Sequence, residues 1–166
     1  MTERLRRLAA RIRQELTAID RVTIRIARAW AAARRHSTDQ DLYLDSVALC
    51  LHDFYTGVER IFRHVAAGFD ESMPGGSDWH DALLRQMATE RLPDRPAVIA
   101  ARTREGLEEY LRFRHVVRNI YAFEFDAERL GRLVDTLPDV FQRVRGDRTA
   151  FSGFLDQMIS DDGSSG

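Results

Sequence analysis

The sequence predicts an all-α protein, an antiparallel bundle of four to five helices, and three observations carry that expectation. Apolar residues recur at steps of three and four along most of the 166 residues. No stretch sustains the strict alternation of a half-buried strand, and no repeat period emerges. The prolines and the glycine-rich stretch fall between the periodic segments, apart from Pro138, so the helical runs are long. A composition of 44% hydrophobic and 31% charged residues is that of an ordinary globular chain. We expect a single domain over residues 1–160, with 161–166 as a flexible tail.

The first helix is expected from Glu3 to Arg35, where Leu5, Leu8, Ile12, Leu16, Ile19, Val22 and Ile26 form one stripe. Ser37, Thr38 and Asp39 suit the cap of a second helix, whose stripe of Leu44, Val47, Leu51, Phe54, Val58, Ile61 and Val65 runs to about Ala67. Residues 70–77 contain Pro74, Gly75 and Gly76 and read as a loop. A short helix from Trp79 to Met87 follows, closed by Pro93 and Pro96. From Ala97 to about Phe123 the pattern is helical again, with Tyr110, Phe113, Val117 and Ile120 on one face. Asp126 can cap the last helix, which Pro138 should kink or restart, and Phe151, Phe154, Leu155 and Met158 extend its apolar face.

The formal net charge is only -1, and every basic residue is arginine. A strongly basic nucleic-acid domain is therefore not indicated, but the charge is unevenly placed. Within the first 35 residues ten arginines face Glu3, Glu15 and Asp20, a net of +7. A solvated helix face is the commoner meaning of such a run. The single cysteine, Cys50, sits among apolar residues and reads as core, and no Cys/His spacing suits a zinc site. Arginines interrupt the N-terminal apolar residues every few positions, so neither a leader nor a spanning segment is indicated there, and a cytoplasmic location with no membrane partner is expected. There is no glycine-rich phosphate loop, HExxH or GxSxG motif, and no cofactor or metal is called for.

The densest polar cluster is RFRHVVRNIY, residues 112–121. On a continuous helix Arg114, Arg118 and Tyr121 would lie within about 60° of one another, with His115 and Asn119 alongside. Guanidinium groups on so apolar a helix must either pair with carboxylates, Glu59 being a candidate, or remain open to an anion. Arginine is suited to bidentate phosphate binding and histidine to proton transfer near neutral pH. Together they are the minimum equipment for metal-free phosphodiester cleavage. His52, Tyr55 and Glu59 share a flank of the second helix and would support a site only if the bundle sets them against Arg114 and Arg118. The competing expectation is a scaffold in which both arginines are capped by carboxylates, with no cleft beside Tyr121.

At Arg114-His115-Val116-Val117-Arg118-Asn119-Ile120-Tyr121 the chain resembles the HepT-like branch of the HEPN superfamily. The signature of that branch is Arg, four residues, His, one residue, Tyr; here the spacing is kept, and asparagine occupies the histidine position. LHDFYTGVERIFRHVA and EYLRFRHVVRNIYAFEFD extend the similarity from about Asp41 to Leu155. The resemblance implies a homodimer whose motif helices meet at a composite cleft. It also implies a ribonuclease toxin of a type VII-like pair, cutting RNA by attack of the ribose 2′-hydroxyl, and a nucleotidyltransferase antitoxin that transfers AMP to the motif tyrosine, Tyr121. Asn119 has no group that titrates near neutral pH and cannot act as acid or base. Three readings follow: His115 moves the protons while Arg114 and Arg118 hold the phosphate; the chain is an inactive module that binds and regulates a nucleotidyltransferase; or Asn119 is a substitution that let a toxic chain be produced.

Overall fold

A computed structural model describes residues 2–119, 121 and 124–164. Five helices follow one another: α1 (Thr2–Arg35), α2 (Gln40–Gly68), α3 (Trp79–Met87), α4 (Ala101–Val117) and α5 (Ala127–Ser164). Among the described residues no helix is long and apolar enough to cross a membrane.

The stripe of α1 packs chiefly on α2 and secondarily on α5, burying Leu5, Leu8, Ile12, Ile19 and Ile26. The close approach of α1 and α2 depends on Gly57, where a Cβ would lie 2.7 Å from Ile19 Cγ1. Helix α2 is the central element and meets each of the other four. Its Phe54 packs edge-on against Tyr110 of α4 and Phe141 of α5, with ring centroids 5.1 and 6.0 Å away. The Tyr110 hydroxyl donates to the Leu133 carbonyl at 2.8 Å, which satisfies the polar tip of a buried ring and ties α4 to α5. Cys50 is buried, as expected of a core residue, and burial pushes its thiol pKa up.

The α2–α3 loop and the α3–α4 connection are clasped together. Arg95 is buried and grips Asp70 with two hydrogen bonds, Nε to Oδ1 at 2.6 Å and Nη2 to Oδ2 at 2.8 Å, while also donating to the carbonyls of Thr89 and Pro96. Gln86 of α3 donates to the same carboxylate at 2.7 Å. This clasp fixes where α3 lies, and therefore where His80 lies.

Several elements depart from expectation. Asp39 occupies the N-cap of α2 without a side-chain capping bond, and Ser37 and Thr38 lie before it. Asp126 does cap α5, its Oδ1 accepting from the Glu128 amide at 3.0 Å. Helix α4 starts at Ala101 and stops at Val117, several residues short of Phe123. There the Asn119 amide group donates to the His115 carbonyl at 2.6 Å, and the Asn119 backbone N–H bonds to Val116 O. These bonds satisfy the last carbonyls and compete with a further helical turn. Ile120 and Phe123, expected on this helix, lie outside the described residues. Of the two outcomes expected at Pro138, a restart does not occur, since α5 runs through it as one helix; the proline faces outward beside an open groove, where solvent can serve the carbonyl that it leaves without a donor. The same helix continues to Ser164, into the segment expected as a tail.

Candidate functional site

The end of α4 meets α2 and α3 at a small polar cluster inside an otherwise apolar region. Arg114 is buried because it continues the inward face of Leu107 and Leu111. Its guanidinium meets Glu59 from α2, with Nη2 3.6 Å from Oε1. His80, from the first turn of α3, bonds Glu59 Oε2 through Nδ1 at 2.6 Å. Arg114 Nη1 lies 3.2 Å from the ring nitrogens of His80. One carboxylate thus holds an arginine and a histidine, three side chains from three helices.

Tyr55 lies one turn before Glu59 and is wholly buried. Burial pushes its phenol pKa far up, the charges of Glu59 and Asp81 push the same way, and Arg114 opposes them. Its hydroxyl and Arg114 Nε have no hydrogen-bond partner among the described residues. Glu59 and Tyr55 therefore do come to Arg114. His52 does not join the cluster; it lies beside Asp53, Nδ1 to Oδ1 3.6 Å.

The two motif arginines have different surroundings. Arg114 is capped by a carboxylate, as a scaffold would require. Arg118 forms the C-cap of α4, is exposed, and makes no ion pair among the described residues. His115 is exposed as well, and its ring meets that of His80 edge-on at 5.8 Å. Asn119 is exposed and folded back on the His115 carbonyl. Tyr121 is 71% exposed, and its amide donates to Glu124 Oε2 at 3.3 Å. Because the helix has ended, Arg118 and Asn119 lie in a turn and Tyr121 beyond it, so the expected helical strip of Arg114, Arg118 and Tyr121 with Asn119 alongside is corrected. The arrangement supplies an anchored guanidinium beneath the exposed imidazole of His115, guanidinium of Arg118 and amide of Asn119 at the end of α4. Such a set can bind an anion and move a proton.

His80 lies at the start of the expected short helix and was not singled out by sequence reasoning. The signal was present: His80, Leu83, Leu84 and Met87 follow i, i+3, i+4, i+7 and form the buried face of α3. Trp79 stacks close to His80, ring centroids 3.6 Å apart, and the Arg63 guanidinium lies over the Trp79 ring at 5.8 Å. Among the described residues no group of three or more His, Cys, Asp or Glu is placed to hold a metal ion.

A family model described as HepT-like protein matches residues 46–155, a span that runs from α2 into α5 and contains the whole cluster. No curated protein and no solved structure matches the chain.

Proposed function

The chain belongs to the HepT-like family within the HEPN superfamily, and from that premise we propose that it is the toxin of a toxin–antitoxin pair, a metal-independent endoribonuclease acting as a homodimer. The supporting observation is the exposure of His115, Arg118 and Asn119 together at the end of α4, on a base fixed by the Glu59–His80–Arg114 contacts. RNA phosphate meets Arg118 directly, with the buried charge of Arg114 behind it. The ribose 2′-oxygen attacks the adjacent phosphorus and the bond from phosphorus to the 5′-oxygen breaks. One product ends in a 2′,3′-cyclic phosphate and the other in a 5′-hydroxyl. His115 takes the proton of the 2′-hydroxyl, and the His115 of the second copy gives one to the departing 5′-oxygen. Asn119 positions the substrate by hydrogen bonding. The guanidinium groups stabilise the extra negative charge of the five-coordinate phosphorus.

Tyr121 carries the regulation. Its phenol oxygen attacks the α-phosphorus of ATP held by a nucleotidyltransferase antitoxin, pyrophosphate leaves, and the phenol proton is lost. The resulting AMP group sets an anion beside Arg118, where it competes with RNA phosphate.

Purified protein is expected to cleave RNA in excess EDTA, leaving cyclic phosphate ends. His115→Ala should slow cleavage by about 10²–10⁴-fold, and Arg118→Ala by about 10²–10³-fold. Activity that survives the double change Arg114→Ala, His115→Ala would overturn this assignment. A second reading, an inactive module that binds and regulates the nucleotidyltransferase, is favoured by one observation, the asparagine at position 119. It would be indicated by a stable complex with that partner and no RNA cleavage at any protein concentration.

A further inference from the structure

A strongly basic surface outside the motif lies between the first half of α1 and the second half of α2. Two adjoining cavities, of about 480 and 360 Å³, share His64 and Ala67 in their walls. Arginines 4, 7, 11, 60 and 63 line them against only Glu3 and Glu15. Arg7 is paired with Glu3, Arg4 with Glu71, and Arg60 approaches Glu15 at 3.9 Å. Arg11 and Arg63 are exposed and make no ion pair among the described residues. His64 registers the local field. Burial lowers its pKa first, and the charges of Arg11, Arg63 and Arg60 lower it further against the opposing pull of Glu15.

The groove leads toward the motif. Arg63 lies over Trp79, Trp79 stacks against His80, and His80 meets both Arg114 and His115. Cationic side chains along a groove, ending at a guanidinium layered on an aromatic ring, are what an unpaired nucleic-acid strand requires, since phosphates need arginine and bases need flat partners. An acidic protein surface would use the charges but not the plate.

We propose that the α1–α2 groove, with Arg11 and Arg63 as its open cations and the Arg63–Trp79 plate at its end, binds the single-stranded RNA that flanks the bond cut at the end of α4. This subsite presupposes the ribonuclease activity proposed for α4, and its test is chosen to separate the two.

The probe is a fluorescein-labelled 2′-O-methyl oligouridylate of about a dozen nucleotides, which lacks the attacking hydroxyl and stays intact. Anisotropy titrations across a salt series are compared for the wild-type chain, the double variant Arg11→Ala, Arg63→Ala, and Arg132→Ala outside the groove. The double variant is expected to lose about tenfold or more in affinity and to flatten the log–log salt slope by about 1.4, two phosphate contacts at about 0.7 each on a single strand. Arg132→Ala should match wild type. If the double variant loses its helical circular dichroism, Arg11→Gln and Arg63→Gln carry the same comparison singly, each lowering the slope by about 0.7. Unchanged affinity and slope in the groove variants would overturn the proposal. So would polyglutamate displacing the RNA as effectively, charge for charge, as unlabelled RNA does, since the groove would then be a seat for an acidic protein. Groove-dependent binding without cleavage of ordinary RNA would remove the ribonuclease reading and leave the subsite standing; cleavage with groove-independent binding would do the reverse.

Discussion

Arg148 is fully buried, and its surroundings are poor in acceptors. One Nη2 hydrogen reaches the Val98 carbonyl at 2.8 Å, while Nε and Nη1 have no hydrogen-bond partner among the described residues. The guanidinium rests instead over Phe62 and Phe151, 5.2 and 5.9 Å from their centroids. Burial pushes its pKa down, the neighbouring Asp147 offsets part of that, and Arg95 adds to it. An apolar side chain of similar length would retain the packing without the desolvation penalty. Arg148→Met should therefore stabilise the fold by about 1–3 kcal/mol, seen as a higher urea midpoint and a melting temperature raised by several degrees. Asp70 is the opposite case, a buried carboxylate with full partners. Burial would raise its pKa, but the hydrogen bonds of Arg95 and Gln86 and the charges of Arg95 and Arg91 outweigh it and hold it below the ordinary 3.8. An acid whose folded pKa is depressed stabilises above its unfolded value and loses that contribution as pH falls through the folded one. Wild-type stability should thus decline as pH drops below about 4. Asp70→Asn should be destabilised by about 3–5 kcal/mol at neutral pH, because Arg95 is left buried without its anion, and it should show a shallower acid decline in urea titrations at successive pH values.

At the scale of elements, the glycines separate two kinds of helix surface. Alanine at position 57 gains about 1 kcal/mol of helix propensity. Its Cβ, however, would sit 2.7 Å from a fully buried, β-branched Ile19, and overpacking of that kind costs about 1–3 kcal/mol. Gly57→Ala is expected to destabilise. Gly146, midway along α5, is exposed, and a Cβ there meets nothing within 4 Å, so Gly146→Ala should stabilise by about 0.5–1 kcal/mol. Chemical denaturation of the two variants side by side checks both signs. The helices themselves were legible because each buries one stripe: α3 begins at Trp79 and ends at Met87, as its periodicity indicates. The end of α4 was not, since a wheel drawn through residues 114–121 assumes a helix that the Asn119 capping bond closes. The Arg114–Glu59 pair could be anticipated from a charge on an apolar face. The role of His80 could not be weighed until the Asp70–Arg95 clasp had set α3 against α2.

For the molecule as a whole, a net charge of -1 conceals a segregated distribution. The excess of arginine on α1 lies partly along the groove with α2, and acidic residues elsewhere balance it. Overall charge therefore said little about nucleic acid, while position said more. Packing is segregated too: α1 pairs extensively with its sequence neighbour α2 and less extensively with the distant α5. Chains emerge from the ribosome at about 5–20 residues per second and fold from the N-terminus. The α1–α2 hairpin is therefore complete well before the residues that cover its far side have been made. Until Phe141, Phe151 and Leu155 arrive, the nascent protein carries an uncovered apolar seam. Among the five helices it is the last in chain order that closes the core, so any activity that needs the closed bundle begins only once α5 has been made.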